Sequence, residues 1–223
     1  MLDIQSLDVS YSKKQVLHQL NLKAEKGAIH GILGRNGAGK TTLFRTIFGF
    51  KKPLAGSITL EGRPLEQKSI AFLETENYFY PYMKGLEYLQ LIHNDAEAIE
   101  RYNKLFQLPL DQFASEYSTG MKKKLALIGA LLLDRPLLIL DEPFNGVDLE
   151  SNEKICLLLE RLKADKYLLV SSHILGTLTS ICDRISVLDE GKILKTWERK
   201  EFEVLEKELK EEIQAKMDQA FGE

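Results

Sequence analysis

Residues 2–10 and again residues 16–24 alternate apolar and polar side chains, the period-two signature of strands with one wet face. The Lys13-Lys14 pair between them predicts a turn and an antiparallel edge. Residues 28–33 form a short apolar run that ends in glycines, and from 40 to 48 the spacing becomes helical, which reads as strand, loop, helix. Residues 56–60 and 69–73 predict further strands. From 85 to about 108 the apolar positions (Leu86, Leu89, Ile92, then Ile99, Tyr102, Leu105) recur at helical spacing. The second half then alternates: helix 120–133, strand 137–140, helix 149–162, strand 167–171, helix 174–181, strand 184–188. Such alternation predicts a parallel sheet covered by helices. A turn at 189–191 leads to a last strand, 192–197, and Phe202, Leu205, Leu209, Ile213 and Met217 mark one apolar stripe on a charged helix over about 198–220. That stripe predicts a helix packed on its own domain. No linker or repeat interrupts the chain, which reads as one domain over 1–223 with a helical subregion at about 84–133.

Composition narrows the class without changing this picture. In 223 residues, 44% are hydrophobic and 28% charged, which excludes a mainly disordered chain, a collagen-like repeat or a disulfide-stapled miniprotein. Thirty Lys and Arg face 33 Asp and Glu, and the segment from 198 onward holds nine acids against five bases. A net charge of −3 with an acidic C-terminal stretch gives no electrostatic reason to seek nucleic acid, so no nucleic-acid partner is expected. Cys156 and Cys182 lie in apolar stretches without CxxC or Cys/His spacing and read as buried, reduced thiols. No secretory signal is visible, and the longest apolar run, 125–133, is well short of the roughly 18–20 residues needed to span a bilayer. A cytoplasmic location is the expectation.

Two stretches carry chemistry at sites that the predicted elements favour. Residues 34–41 read Gly-Arg-Asn-Gly-Ala-Gly-Lys-Thr and fit GxxxxGK[ST] between an apolar strand and a helix. The glycines Gly34, Gly37 and Gly39, with Asn36 and Ala38 among them, let main-chain N–H groups converge on phosphate oxygens, helped by the dipole of the following helix. Lys40 offers a point charge to the β- and γ-phosphates, Thr41 a hydroxyl to Mg²⁺, and Thr42 extends the nucleotide-binding set. The run 137–140 ends in Asp141-Glu142, at the end of a core strand where a parallel sheet opens its ligand crevice. Asp141 is placed to hold the metal, and Glu142 to orient or deprotonate a water in line with the γ-phosphate.

A third stretch narrows the choice among phosphate-loop enzymes. Residues 117–121, Tyr-Ser-Thr-Gly-Met, stand just before a helix and shortly upstream of Asp141, and resemble the LSGGQ signature of ATP-binding-cassette (ABC) proteins. His173, after the apolar run 167–171, matches that family's switch histidine. Asp148 in Asn145-Gly-Val-Asp148 falls where the family has its dimer-contact loop, and Tyr11 where it has an aromatic that stacks on adenine. On these motifs, in the family's order from about 2 to 197, the chain is identified as a member of the ABC family. The resemblance implies an α/β P-loop NTPase cassette with a mixed parallel core sheet, an antiparallel β edge and a helical signature subdomain. It also implies ATP and Mg²⁺ as ligands and a head-to-tail dimer with a second cassette. Each ATP is then held by one subunit's phosphate loop and the other's Ser118 and Gly120.

The chain departs from the family at a few positions. Where ABC proteins usually carry a glutamine that touches Mg²⁺ and faces the membrane partner, register against Tyr80-Pro81 puts Thr75, whose shorter hydroxyl calls for a bridging water. Glu74 and Glu76 are the other candidates for that contact. Tyr117, Thr119 and Met121 differ from the signature, while Ser118 and Gly120 are kept. Lys122, Lys123 and Lys124 read as a solvated face. Retention of Glu142 and His173 implies a hydrolase. The reading is the ATP-hydrolysing subunit of an export-type transporter, peripheral on the inner face of the cell membrane through separate transmembrane permease subunits. The alternatives are a soluble ABC ATPase acting on nucleic acid or ribosomes, or a regulatory cassette. Against the first stands the absence of a long coiled-coil insert or a second cassette in the sequence.

Overall fold

Strand alternation at the start of the chain produces β1 (Leu2–Tyr11) and β2 (Lys14–Ala24), paired antiparallel from Leu2 opposite Ala24 to Tyr11 opposite Lys14. A computed structural model describes residues 1–12 and 14–222, so the Lys13 half of the expected turn lies outside the described residues. The chain then runs through β3 (Ile29–Leu33), α1 (Lys40–Phe48), β4 (Ala55–Leu60) and β5 (Arg63–Pro64). Strands in the order β2-β1-β4-β5 make one antiparallel sheet of their own.

The rest of the chain supplies the other helices and, around β3, the remaining strands of a second sheet. In order they are β6 (Ile70–Leu73), α2 (Gly85–Ile92), α3 (Ala96–Phe106), α4 (Thr119–Leu132), β7 (Leu137–Asp141), α5 (Leu149–Leu162), β8 (Tyr167–Ser172), α6 (Leu175–Ile181), β9 (Arg184–Asp189), β10 (Lys192–Glu198) and α7 (Phe202–Phe221). Six strands in the order β10-β9-β3-β8-β7-β6 form this sheet, parallel except for the β9–β10 hairpin at its edge. β3, β7 and β8 are buried along their whole length, as near-continuous apolar runs in a doubly covered parallel sheet require.

Alternation along these strands divides the apolar interior in two. Leu137, Ile139, Tyr167 and Leu169 point toward the antiparallel sheet and α1, where they meet Leu43 and Phe44. Leu138, Leu140, Leu168 and Val170 point the other way and pack with Leu125, Ile128 and Ile155 of α4 and α5. The helical run after residue 85 is two helices, because Asp95 caps α3 by accepting from the N–H groups of Glu97 (2.9 Å) and Ala98 (3.2 Å). The apolar stripe of α7 is packed only at its start. Phe202 and Leu205 are buried, whereas Ile213 and Met217 are about half exposed, at 53% and 48%.

Register decides what meets at the sheet's edge. Leu33 stands opposite Ser172, and Asp141 opposite Ser171. Gly34, Glu142 and His173 therefore leave three neighbouring strands at one level, in the crevice where open α/β sheets take their ligands.

Candidate functional site

The loop from β3 into α1 is shaped by its glycines. Gly39 has φ +113°, and a Cβ there would lie 2.9 Å from Leu17 Cδ2, so a side chain would meet both strain and a clash. Gly39 ends the loop and its carbonyl accepts from Leu43 N at 2.8 Å, opening α1. The Lys40 side chain is buried and folds back, donating from Nζ to the Gly34 carbonyl at 2.7 Å, with Glu142 Oε1 at 3.2 Å. A cavity of about 210 Å³ opens here. Asn36, Gly37, Gly39, Lys40, Thr41 and Thr42 line it on one side, and Thr75 and Glu142 close the other. Ala38 lies just outside, its carbonyl accepting from Gly191 N at 3.0 Å.

Asp141 is wholly buried at the end of β7 and every contact of its carboxylate is a hydroxyl. Oδ2 accepts from Thr41 Oγ1 at 2.7 Å and from Thr75 Oγ1 at 2.8 Å, while Oδ1 accepts from Ser171 Oγ at 2.5 Å. Ser171 Oγ in turn accepts from Glu142 N at 3.0 Å. Glu142 itself has φ +51°, a conformation that costs a non-glycine residue about 1–3 kcal/mol and is held by this surrounding network. The turn aims its carboxylate between Lys40 Nζ at 3.2 Å and His173 Nδ1 at 3.0 Å. Lys40, Glu142 and His173 are thus one chain of contacts. Two hydroxyls on one carboxylate oxygen offer only hard oxygen donors. Among the described residues no group of three or more His, Cys, Asp or Glu could cage a metal. That donor set fits Mg²⁺, which is usually held through one or two carboxylates plus phosphate and water oxygens.

The segment after β6 resolves which of three residues faces Asp141. Thr75 does. Glu74 is turned to α1, accepting from Arg45 Nη2 at 2.6 Å and Nε at 2.8 Å. The lysine run 122–124 departs from the solvated face expected of it. Lys123 is buried and donates to the carbonyls of Thr75 at 2.5 Å and Glu74 at 3.3 Å, and Lys124 reaches Asp148 Oδ2 and Ser151 Oγ, both at 3.1 Å. Burial pushes the Lys123 ammonium below its ordinary pKa, against the pull of Asp141, Glu142 and Glu76. A sequence signal existed: position 123, about one turn after the cap of α4, shares a helix face with Leu127 and Ala130. The loop that covers it lies 48 residues away, and no local pattern announces that.

The signature residues are held apart from this cavity. Ser118 caps α4, its Oγ accepting from Met121 N at 3.2 Å. Gly120 lets α4 approach the loop before α5, where a Cβ would stand 2.7 Å from the Gly146 carbonyl. Asp148 caps α5, accepting from Ser151 N and Ser151 Oγ, each at 2.8 Å. The Ser151 main-chain N–H, then its hydroxyl and Lys124, hold the Asp148 carboxyl well below the usual range. Tyr117, expected only as a variant letter of the signature, is buried and donates to the Pro109 carbonyl at 2.7 Å. Ser118, Gly120, Asp148 and Tyr11 do not line the phosphate-loop cavity. Tyr11 is exposed at the end of β1, with the Lys51 ammonium 4.5 Å above its ring centroid. No helix among the described residues is long and apolar enough to cross a membrane.

Comparison with known proteins agrees with this geometry. The family profile described as ABC transporter matches residues 17–145. The putative ABC transporter ATP-binding protein AlbC of Bacillus subtilis is 35% identical over 218 residues, covering 87% of this chain and 90% of its own. The bacitracin transport ATP-binding protein BcrA of Enterococcus faecalis is 31% identical, covering 87% of this chain and 68% of its own. A solved structure of the ATP binding subunit of an ABC transporter superposes with a TM-score of 0.82 at 28% identity, over 89% of this chain and 90% of that one.

Proposed function

The chain belongs to the ABC transporter family as an ATP-binding, ATP-hydrolysing subunit, and we propose that it drives export through separate transmembrane chains on the inner face of the membrane. Cassettes of this family bind ATP, dimerise and work with transmembrane subunits. The observation that carries the reading is the shared cavity. Lys40, Glu142, Thr41 and Thr75 line the same 210 Å³ space, with His173 bonded to Glu142 and the Asp141 carboxylate bonded to both threonine hydroxyls directly behind them. The name of one relative, for bacitracin transport, supports export of a small molecule or peptide.

In this reading the chain acts as one ATPase domain with a helical subregion. Main-chain N–H groups of residues 34–42 and Lys40 take the phosphates, and Tyr11 stacks on adenine. Thr41, Asp141 and Thr75 would hold Mg²⁺, whose charge would offset that of the phosphates. Glu142 accepts the proton of the attacking water or aligns it, and His173, on the far side of that carboxylate, steadies the γ-phosphate end. Exposed Ser118, half-buried Gly120 and the start of α4 complete the site of a second cassette arranged head to tail, aided by that helix's N-terminal dipole. Tyr78, Tyr80 and Tyr82, all strongly exposed beside α2, face the permease.

The test is a tagged Glu142→Gln chain incubated with ATP and native membranes. Turnover falls by about 10²–10⁴-fold, the range expected on losing a general base, while ATP binding persists and a closed dimer accumulates. Pull-down with that variant recovers a polytopic membrane protein. Unimpaired turnover would remove Glu142 from its role, and recovery of ribosomes or DNA-bound proteins without a membrane chain would overturn the transport assignment.

A further inference from the structure

Lys123 stands where an apolar residue would be the cheaper choice. It is 4% exposed, positions 125–132 of α4 are all buried apolar residues or glycine, and an ammonium taken out of water is costly unless well bonded. Its bonds are to main chain. Nζ donates to the carbonyls of Thr75 at 2.5 Å and Glu74 at 3.3 Å. The 74–75 segment is therefore strung between three elements. Arg45 of α1 holds the Glu74 carboxylate at 2.6 Å, Asp141 of β7 takes the Thr75 hydroxyl at 2.8 Å, and Lys123 of α4 holds both carbonyls. Only the third anchor comes from the helix that begins with Ser118 and Gly120.

We propose that Lys123 is a positioning residue: its ammonium fixes the 74–75 main chain so that the Thr75 hydroxyl stays on the Asp141 carboxylate, tying the placement of α4 to the cation end of the site. The inference rests on the assignment of Asp141 and Thr75 given above, and gives that assignment a route to the far end of the same helix. When Ser118 and Gly120 engage a second cassette's nucleotide, any shift of α4 is passed through Lys123 to Thr75. Lys124, bonded to Asp148 and Ser151 at 3.1 Å, passes the same shift to the start of α5.

Charge and position give opposite signs, which makes the proposal testable. If Lys123 acted only as a nearby positive charge, its removal would strengthen cation binding at Asp141. As a positioning residue its loss weakens it. The full chain carrying Lys123→Met, Lys123→Gln, Thr75→Val and the double Thr75→Val/Lys123→Met is compared with wild type in two ways. One is hydrogen exchange at residues 74–77 without nucleotide or metal, and the other is the Mg²⁺ concentration giving half-maximal ATP hydrolysis. Lys123→Met raises exchange in 74–77 at least several-fold while leaving α1 unchanged. It also raises the Mg²⁺ requirement by roughly tenfold, the low end of what losing a group that orients a metal ligand costs. Lys123→Gln, which keeps a donor, recovers part of both. The double variant adds nothing to Thr75→Val, as one coupled unit requires. A lowered or unchanged Mg²⁺ requirement in Lys123→Met, or additive losses in the double variant, overturns the proposal. Should Lys123→Met fail to fold, Lys123→Gln and its double with Thr75→Val carry the same comparison. Loss of Mg²⁺-dependent hydrolysis in the wild-type chain would instead overturn the site assignment beneath it.

Discussion

In the function proposed above two regions of this chain meet phosphate, and they differ in how much of their work they do alone. At the ends of β3, β7 and β8, Lys40, Thr41, Asp141, Glu142, Ser171 and His173 bond to one another across segments that in one pair, Thr41 and Asp141, lie 100 residues apart. At the start of α4, Ser118 bonds only within its own helix turn, and Gly120 serves to bring that helix against the Gly146 carbonyl. One region is a cluster whose members hold each other in place. The other is a presented edge, a capped helix start whose Ser118 is exposed and whose N-terminal dipole points outward from the cap. In the head-to-tail pair proposed above, the first region is complete in its internal bonding yet half of the functional unit, and the second cassette supplies the other half.

The largest effect is expected where the internal cluster is densest. Asp141→Asn puts an amide NH₂ where one of three hydroxyl donors, Thr41, Thr75 or Ser171, now finds a carboxylate oxygen. Turnover at saturating Mg²⁺ should fall by about 10²–10³-fold, as when a group stabilising transition-state charge is lost, and the melting temperature should fall with it. Steady-state ATP hydrolysis and a thermal melt check both. Wild-type turnover in this variant would show that the cluster is a structural tie and not part of the chemistry.

The presented edge is tested by mixing. Gly120→Ala places a methyl carbon 2.7 Å from the Gly146 carbonyl, so α4 and the loop before α5 must move apart. ATP hydrolysis should drop by about 10–10²-fold, the cost of a misplacement near 1 Å, while ATP binding to the isolated chain is unchanged. Lys40→Ala removes the phosphate-loop charge and should also be inactive alone. In a head-to-tail pair the two variants together restore one composite site that is wild type throughout. An equimolar mixture should therefore recover about a quarter of wild-type turnover, since half of randomly formed dimers are mixed and each carries one intact site of two. No recovery on mixing would break the comparison, because it would mean that the signature and the phosphate loop serving one nucleotide belong to the same chain.

What could be read from the sequence follows the same division. The phosphate loop and the Asp141-Glu142 pair are legible because their chemistry is fixed by local spacing: a strand, a glycine turn, a helix, and a strand ending in two acids. Strand and helix positions are legible because β3, β7 and β8 are continuous apolar runs, and because period-two alternation marks β1 and β2. Lys123 is not, since its burial is created by a loop far away in sequence, and three consecutive lysines on a helix start look wet by composition alone. Nor is the positive φ of Glu142, which comes from the register of β7 against β8 that puts Ser171 under its N–H. The α7 stripe misleads in the other direction. Its spacing is uniform from Phe202 to Met217, yet only its first turns meet the fold.

The smallest effect belongs to neither region and separates stability from chemistry. His30, in the middle of β3, is buried beneath the phosphate-loop strand, its Nε2 2.8 Å from Ser186 Oγ, which is 2.6 Å from Thr196 Oγ1. Desolvation, with Arg184 nearby, lowers its pKa from 6.5 to about 4. Between those values the unfolded chain binds a proton at this position and the folded chain does not, so stability rises with pH across the window. The contribution is present above about 6.5 and is lost as pH falls toward about 4. One proton corresponds to a slope of at most ~1.4 kcal/mol per pH unit. In His30→Gln, whose amide can still bond Ser186, urea unfolding from pH 7 to 4 should show a shallower slope than wild type, with ATP hydrolysis at pH 7.5 little changed. An identical slope in the two chains would mean that His30 is protonated in the fold, and that the base of the phosphate-loop strand is wetter than its burial indicates.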